Sequence, residues 1–191
     1  MTLHAFPFAV VIPGAGLGTR FGEPKAGALL PGTSTRFVDA VAVTAQLTGA
    51  SAVLAVLPPN LLAPNGVRVV VNAKGDDEQI RSVRMGLMQL TNLPVVGALL
   101  WPVDHPFVTL ESALAVIDGA KRTGAPIVVP TFEGARGHPV WFHRDTWREL
   151  MTVPEGGARA VVRIDPSRVL AVAVRDRGVL RDIDTRDALT E

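Results

Sequence analysis

Short, continuously apolar stretches alternate along the chain with longer segments whose apolar residues recur every three to four positions. The short stretches predict buried strands, because a strand that is covered on both faces lacks polar alternation. They are FAVVIP, SAVLAVL, GVRVVVN, VGALLWPVD, APIVVP and RVLAVAV. The longer segments predict the helices between them: RFVDAVAVTAQLTG, EQIRSVRMGLMQL and TLESALAVIDGAKR. This alternation predicts an α/β fold around a mixed, mostly parallel sheet.

The pattern changes after APIVVP. TFEGARGHPVWF predicts a hairpin-like excursion, DTWREL and GGARAVVRID predict short helices, and RGVLRDIDTRDALTE predicts a short strand followed by the start of a helix. No repeat or low-complexity linker divides the chain. We therefore expect a single domain over residues 1–191, with an excursion at about 131–165.

Ligands of mostly parallel sheets bind outside the carboxyl ends of the strands. The loops that follow Pro13, Asn72, Val103 and Val174 should therefore share one face of the sheet. The first of these loops is rich in glycine, which lets a backbone turn tightly and approach a ligand closely. This face is the predicted ligand site.

Composition narrows the classes of function. The 191 residues include no cysteine, so disulfides and thiolate chemistry are excluded, and any metal must bind oxygen or imidazole. The net charge is +1 and the basic residues are scattered, which does not favour a nucleic-acid partner. No apolar run approaches the roughly 18 residues needed to cross a membrane, and the N-terminus lacks the features of a signal peptide. We expect a cytoplasmic protein that binds neither nucleic acid nor membrane.

The spacing of the glycine loop excludes two common nucleotide motifs. A dinucleotide fingerprint would need glycine where Thr19 stands, and the Gly-Lys-Ser/Thr triplet of a P-loop is missing. The remaining pattern is G-x-G-T-R-x-G-x-x-K, which contains Arg20 and Lys25. Two fixed cations with backbone N–H groups suit a triphosphate, because they neutralise charge that moves toward departing pyrophosphate. The alternative is a tight turn whose two cations lie on the surface.

Five stretches resemble, in the same order, the nucleotidyltransferases of the molybdenum cofactor cytidylyltransferase and guanylyltransferase group. PGAGLGTRFGEPK resembles the signature L-A-A-G-x-S-x-R-M-G-x-x-K, and the later matches are RSVRMGL, PVDHPFVT, RGHPVWF and RDIDTRDAL. Some positions depart from the pattern: Pro13 and Gly14 replace Leu and Ala, Gly18 replaces Ser, and PKAGALLP carries extra residues. His105 stands where the family often has Gln or Met.

The resemblance implies a Rossmann-like three-layer sandwich of the nucleotide-diphospho-sugar transferase type. It also implies a reaction of CTP or another NTP with a phosphorylated small molecule of the molybdopterin type, dependent on Mg²⁺ or Mn²⁺. A molybdoenzyme or a maturation protein is the implied partner for the product. The alternatives are a transferase that uses GTP, one that acts on a sugar phosphate or another phosphomonoester, and a non-catalytic carrier or insertion factor for the cofactor.

The resemblance also implies roles for particular residues. Arg20 and Lys25 are the predicted catalytic cations. The predicted nucleotide-binding residues are Ala15, Gly16, Gly18, Thr19, Asp77 and Ser82. The stretch 131–165 becomes the acceptor-binding part of the chain, with Arg136, Gly137 and His138 as its predicted contacts. A hairpin turn with an exposed histidine is the alternative for the last three, and helix capping is the alternative for the acidic turn around Asp77.

The third residue of the family's L-A-A-G tends to be Ala in cytidylyl enzymes and Gly in guanylyl enzymes. Here it is Ala15, whose methyl group leaves room for a pyrimidine and crowds a purine. This favours CTP. The alternative is that a small residue before a glycine loop is part of the core.

Two carboxylates are predicted to hold the metal. Asp104 follows GALLWPV and Asp184 follows VLRDI, each where a strand is predicted to end. Mg²⁺ is commonly held by one or two carboxylates together with phosphates and waters. Asp182 competes with Asp184, but the family's D-I-D-T places the ligand at the second Asp. The alternatives are that Asp104 lies in a simple turn and that Asp184 caps the last helix.

Overall fold

The structure is a computed structural model that describes residues 6–19, 21–74, 79–153 and 156–189. Its strands are β1 (Ala9–Pro13), β2 (Ala52–Leu57), β3 (Arg68–Val71), β4 (Gly97–Leu100), β5 (Ile127–Phe132), β6 (Ala135–Arg136), β7 (Val140–His143) and β8 (Val169–Ala173). Its helices are α1 (Phe37–Leu47), α2 (Gln79–Gln89), α3 (Leu110–Thr123), α4 (Trp147–Thr152) and α5 (Gly157–Ile164). Short 3-10 turns cover Lys25–Gly27, Arg144–Thr146, Pro166–Arg168, Arg177–Leu180 and Asp187–Leu189.

The strands that the structure describes form one mixed sheet in the order β3-β2-β1-β4-β7-β5-β6, and β8 pairs with β5. The pairs β1–β2, β1–β4, β2–β3 and β5–β8 are parallel. Strand β7 lies antiparallel between β4 and β5, which therefore run in the same direction. The carboxyl ends of β1, β3, β4 and β8 thus share one edge, as the sequence predicted.

Helices cover both faces of the sheet. Alternate residues of β1 point into two separate cores, Val10 and Ile12 into one and Ala9 and Val11 into the other. Helices α1 and α3 close the first core, whereas α2, α4 and α5 close the second. Because β1 is buried on both faces, it is apolar throughout. The predicted three-layer α/β fold is confirmed.

One part of the predicted excursion belongs to the centre of the sheet. The turn after β5 leads back into the short strand β6, which is the expected hairpin. Strand β7, however, pairs on both sides, and its Trp141 and Phe142 are buried. A strand in that position must be apolar on both faces, and VWF meets this requirement. The sequence had predicted these residues as part of the hairpin-like excursion.

The short strand predicted at RGVLRDI is not formed. A 3-10 turn, Arg177–Leu180, stands there instead and is followed by an irregular segment. The side chain of Asp176 accepts a hydrogen bond from the N–H of Gly178 at 2.8 Å and so begins the turn. Val179 and Ile183 are both buried and anchor the segment against the sheet. None of the helices in the described ranges is long and apolar enough to cross a membrane.

Candidate active site

The glycine loop continues directly from β1. The N–H of Gly14 donates to the carbonyl of Val56 at 2.9 Å, which ties the start of the loop to β2. Gly18 has a φ of +62°, and a Cβ there would overlap the carbonyl oxygen of Glu23. Its own carbonyl accepts from the N–H groups of Phe21 at 2.9 Å and Gly22 at 2.8 Å. Only glycine fits this turn without strain.

A small cavity of about 250 Å³ lies over this loop. Most of the residues predicted to bind the nucleotide or its metal line it: Ala15, Gly16, Gly18, Thr19, Lys25, Ser82, Asp104 and Asp184. Ser82 is buried on α2 and lines the cavity from this neighbouring helix. Arg20 and Asp77, the remaining predicted contacts of the nucleotide, lie outside the described residues. The structure therefore gathers residues from four separate parts of the chain.

Lys25 lies among three carboxylates at the end of this cavity. Its Nζ is hydrogen-bonded to Asp184, lies 3.3 Å from Asp104 Oδ2 and lies 3.7 Å from Asp182 Oδ1. The C-terminal segment reaches this position because the N–H of Ile183 donates to the carbonyl of Asp104 at 3.0 Å. Burial opposes the charged form of Lys25, but the three carboxylates outweigh it and raise its pKa. The ammonium group therefore stays charged.

The carboxylates carry more negative charge than Lys25 can neutralise. Burial and the neighbouring Asp104 raise the pKa of Asp182 to about 6, although Lys25 acts in the opposite direction. Burial lowers the pKa of His105 to about 4, so its imidazole is neutral and available as a ligand. A divalent cation would balance the remaining charge of this group.

The donor set fits such a cation. Ligand atoms of Asp104, His105 and Asp182 all lie within 4.8 Å of one another. Asp104 Oδ1 is buried and has no hydrogen-bond partner among the described atoms, while the other carboxylate oxygen faces Lys25. Asp184, the predicted second metal ligand, is hydrogen-bonded to Lys25, and the group of ligand atoms among the described residues contains Asp182 in its place. The carboxylates suit both Mg²⁺ and Mn²⁺, and the imidazole favours the transition metal.

We call Lys25 and the three carboxylates around it, Asp104, Asp182 and Asp184, the acidic group. A larger cavity of about 830 Å³ adjoins this group, and Asp182 is part of its lining. Arg136, Gly137 and His138, the predicted acceptor contacts, all line it. The backbone fixes this stretch: Gly137 N–H donates to the carbonyl of Pro130 at 2.9 Å and His138 N–H to that of Val179 at 2.8 Å. A Cβ at Gly137 would overlap the Val179 carbonyl, so the glycine is required for this close approach.

Two histidines lie together in the wall of the larger cavity. The rings of His105 and His138 are 4.7 Å apart. Burial and the neighbouring His105 lower the pKa of His138 to about 3, so its ring is neutral. The Nδ1 atom of each ring is buried without a hydrogen-bond partner among the described atoms. Such atoms are ready to bond a polar ligand, because an unpaired buried nitrogen is costly.

The structure adds residues that sequence reasoning did not place. Pro13 and Gln79 line both cavities and mark where the two meet. Arg159, Arg163 and His105 also line the larger cavity, as does Asp182, which the sequence had weighed as a metal ligand. The two arginines stand four residues apart in GGARAVVRID, a spacing that places them on one face of a helix. This spacing was the feature of the sequence that could have indicated a shared anion-binding role.

Known proteins resemble this chain in sequence. Residues 10–172 match the family model described as the MobA-like NTP transferase domain. A curated 2-C-methyl-D-erythritol 4-phosphate cytidylyltransferase from Thermus thermophilus is 32% identical over 121 residues, covering 63% of this chain and 54% of that protein. The chain thus spans about half the length of this curated relative.

Solved structures match over nearly the whole chain. Rv0371c from Mycobacterium tuberculosis H37Rv superimposes with a TM-score of 0.79 at 28% identity and covers 97% of both chains. The manganese complex of Rv0371C from the same organism superimposes with a TM-score of 0.70 at 25% identity, covering 96% of this chain and 95% of that one. The shared fold thus extends beyond the stretch that the family model covers.

Proposed function

The chain belongs to the MobA-like NTP transferase family, and from this premise we propose that it transfers CMP from CTP to the phosphate of a small acceptor. The observation that carries the proposal is the arrangement of the two cavities. The smaller cavity lies over the glycine loop, and the larger cavity is lined by arginines. The two cavities meet beside Lys25 and its carboxylates. Two anionic substrates could meet at this point.

The proposed reaction needs no nucleophile from the protein. An oxygen of the acceptor phosphate forms a bond to the α-phosphorus of CTP, and the bond from that phosphorus to the bridging oxygen breaks. The electron pair of the broken bond leaves with pyrophosphate. A phosphomonoester is already anionic at neutral pH, so the protein mainly holds two anions in line and reduces their repulsion.

Each part of the site has a proposed task. The backbone of the glycine loop, with Thr19 and Arg20, binds the triphosphate, and Ser82 and Asp77 contact the base or ribose. Lys25 stabilises the charge that develops on the leaving pyrophosphate. Arg136, Gly137 and His138 bind the acceptor.

A divalent metal completes the proposed site. Asp104 would hold it together with His105 and Asp182, and Asp184 is the alternative carboxylate. When bound, Mg²⁺ or Mn²⁺ would neutralise phosphate charge and orient the triphosphate. The manganese complex of the Rv0371C structure supports a divalent ion in this fold.

The choice of CTP rests on Ala15. Ala15 belongs to the loop that lines the smaller cavity and is 1% exposed, and alanine at this position is typical of the cytidylyl enzymes that the chain resembles. The curated relative from Thermus is named as a cytidylyltransferase, which supports the same choice. GTP is the competing nucleotide.

The acceptor that we propose is of the molybdopterin type, with the product passing to a molybdoenzyme or a maturation protein in the cytoplasm. A large cavity that combines apolar walls with arginines and neutral histidines suits a ring system carrying a phosphate. The phosphate of a sugar or of another small alcohol is the alternative acceptor. A carrier that binds the cofactor without turnover is the alternative outside catalysis.

A pyrophosphate-release screen would test these choices. CTP, GTP, ATP and UTP would each be combined with reduced molybdenum cofactor or with 2-C-methyl-D-erythritol 4-phosphate, in the presence of Mg²⁺ or Mn²⁺. We expect release with CTP and the molybdenum cofactor. Release only with the erythritol phosphate would reassign the acceptor, and cofactor binding without release from any NTP would favour the carrier.

A further inference from the structure

Helix α5 forms one wall of the larger cavity. Gly156, Gly157, Ala158 and Val162 line the cavity together with two arginines of the same helix. The apolar lining of α5 continues into the second core, since Val161 and Val162 are buried there. The wall is therefore a fixed element and not a loose loop.

The two arginines of α5 lie on its exposed side. Arg159 and Arg163 are exposed and make no hydrogen bond or ion pair with another residue that the structure describes. They are four positions apart, so they lie on the same side of the helix, where their like charges repel each other. An anion between them would relieve this repulsion.

The charge of the whole cavity has the same sign. Its described lining contains three guanidinium groups, on Arg136, Arg159 and Arg163, but Asp182 is its one carboxylate. Arg159 also lies close enough to His138 for its charge to help keep that imidazole neutral, by lowering its pKa.

The start of α5 adds backbone donors. Gly156 precedes the helix in a left-handed conformation and has no side chain with which to cap it. The first N–H groups of a helix have no partner within the helix and favour an anion. This end of α5 lies against the start of α2, because a Cβ on Gly157 would contact Ile80 Cβ at 3.6 Å. Gln79, where the two cavities meet, is the neighbour of Ile80.

We propose that the first turn of α5 and the guanidinium of Arg159 bind the phosphate of the acceptor, with Arg163 as a second cation one turn farther from the junction of the cavities. Apolar residues of the same cavity, such as Val83, Val140 and Phe142, contact the organic body of the acceptor. The buried Nδ1 of His138 bonds a polar atom of that body. The ligand class is therefore a phosphomonoester of a ring-bearing or otherwise apolar alcohol. This assignment deepens the proposed transferase function and rests on it, because only a transferase has an acceptor.

Binding of phenyl phosphate to the protein alone, measured by calorimetry, tests the site without any turnover. Arg159→Gln should weaken binding about tenfold or more, the scale of one charge-assisted hydrogen bond. Arg163→Gln should weaken it less, and Arg159→Lys should retain part of the affinity. Arg148→Gln, an exposed arginine on the neighbouring helix α4, is the matched control and should leave the affinity unchanged. Benzyl alcohol, which lacks the phosphate, should bind all of these proteins equally.

A second measurement separates this site from the triphosphate site. The affinity for CTP should be the same in the original protein and in the Arg159→Gln protein, and the KM of the acceptor should rise while the KM of CTP does not. Unchanged phenyl phosphate affinity in both Gln variants, or an equal loss of CTP affinity, would overturn the proposal. If no nucleotide is transferred at all, lost phenyl phosphate binding in Arg159→Gln still supports the anion site. Normal transfer with unchanged phenyl phosphate binding overturns the site and leaves the transferase intact.

Discussion

Lys25 holds a positive charge within a group of three carboxylates. Asp104, Asp182 and Asp184 all contact its Nζ, and together they raise the pKa of the lysine against the effect of burial. A metal ion at this group would share the carboxylates with the lysine. The ammonium and the metal are therefore competitors as well as partners in the proposed reaction.

Replacing Lys25 should separate its contribution to turnover from its competition with the metal for the carboxylates. Lys25→Met removes the charge and keeps an unbranched chain, so we expect turnover to fall by about two orders of magnitude, the scale of losing one charge-stabilising group. Mn²⁺ should bind the nucleotide-free variant more tightly, because three carboxylates are then left without their cation. Electron paramagnetic resonance of free Mn²⁺ measures the affinity directly. Lys121→Met on the exposed end of α3 is the control. Normal turnover in Lys25→Met would remove the lysine from the mechanism.

Ala15 allows a test of nucleotide choice. Ala15→Gly removes the one methyl group that this loop position presents, so we expect the use of GTP relative to CTP to rise. The shift should be partial, because one methyl-sized change is worth about 1–3 kcal/mol and the base also needs hydrogen bonds. Competition between the two nucleotides in one reaction gives the ratio. A preference for GTP in the unmodified protein would contradict the argument from Ala15.

At the scale of elements, Asp176 joins the start of α3 to the C-terminal turn. Its carboxylate accepts from the N–H and the hydroxyl of Thr109, both at 2.9 Å, and from the N–H of Gly178. Thr109 in turn caps α3 by accepting from the N–H of Ser112. One side chain thus fixes both a helix and the turn that leads to the acidic segment.

Asp176→Asn should loosen this connection. Burial acts to raise the pKa of Asp176, but the hydrogen bonds to Thr109, Ser112 and Gly178 outweigh it and lower the pKa. We expect the free energy of unfolding at pH 7 to fall by about 1 kcal/mol, the typical value for such hydrogen bonds. Since the folded-state pKa lies below the unfolded one, this stabilisation is complete above about pH 4 and is lost as the pH falls through the folded-state pKa.

Denaturant titrations at neutral pH and at acid pH, below the ordinary pKa of an aspartate, would measure the difference. The difference in the free energy of unfolding between the original protein and Asp176→Asn should be smaller at acid pH. Asp145→Asn, whose carboxylate is 90% exposed beside His143, is the matched control. A difference in the free energy of unfolding that stays constant with pH would show that the charge of Asp176 does not contribute to stability.

The elements also show how far sequence reasoning reaches. Helix α3 was predicted from the segment TLESALAVIDGAKR, because a threonine followed by an apolar stripe is a local signal of a helix start, and Thr109 does cap the helix. Strand β7 was not placed in the sheet, since its pairing with β4 and β5 depends on contacts far away in the chain. The segment that carries Arg159 and Arg163 was predicted as a helix. The sequence did not predict that these arginines lie beside the cavity, because that depends on how the helix packs.

At the scale of the whole molecule, the candidate site is assembled from distant parts of the chain. Lys25 and Asp184 are 159 positions apart, yet their side chains are bonded. The motifs predicted which residues take part, and alternating strands and helices predicted that strand ends share an edge. Distances were not predictable: the family's D-I-D-T favoured Asp184, whereas the structure groups Asp182 with Asp104 and His105. The segment of Asp182 and Asp184 is irregular, and the two side chains both reach Lys25.

Because the site joins these parts, metal binding should stabilise the whole fold. A ligand that binds only the folded protein raises its stability by mass action, by about 2.7 kcal/mol at a concentration of about 100 times the dissociation constant. We expect Mn²⁺ to raise the melting temperature, and we expect Asp104→Asn to abolish the rise. Asp182→Asn and Asp184→Asn should differ, and the larger loss identifies the second carboxylate ligand. Asp118→Asn on the exposed side of α3 is the control. An unchanged rise in all three site variants would place the metal elsewhere.

The hydrogen bond from Ile183 to Asp104 also has a consequence for protein synthesis. A growing chain that ends before Asp182 cannot form this contact, but it can already contain the glycine loop, the sheet and both arginines of α5. It still lacks two of the three carboxylates around Lys25, so it has the walls of both cavities without a complete acidic group between them. Nucleotide transfer by a nascent chain would therefore have to wait until Asp184 has left the ribosome.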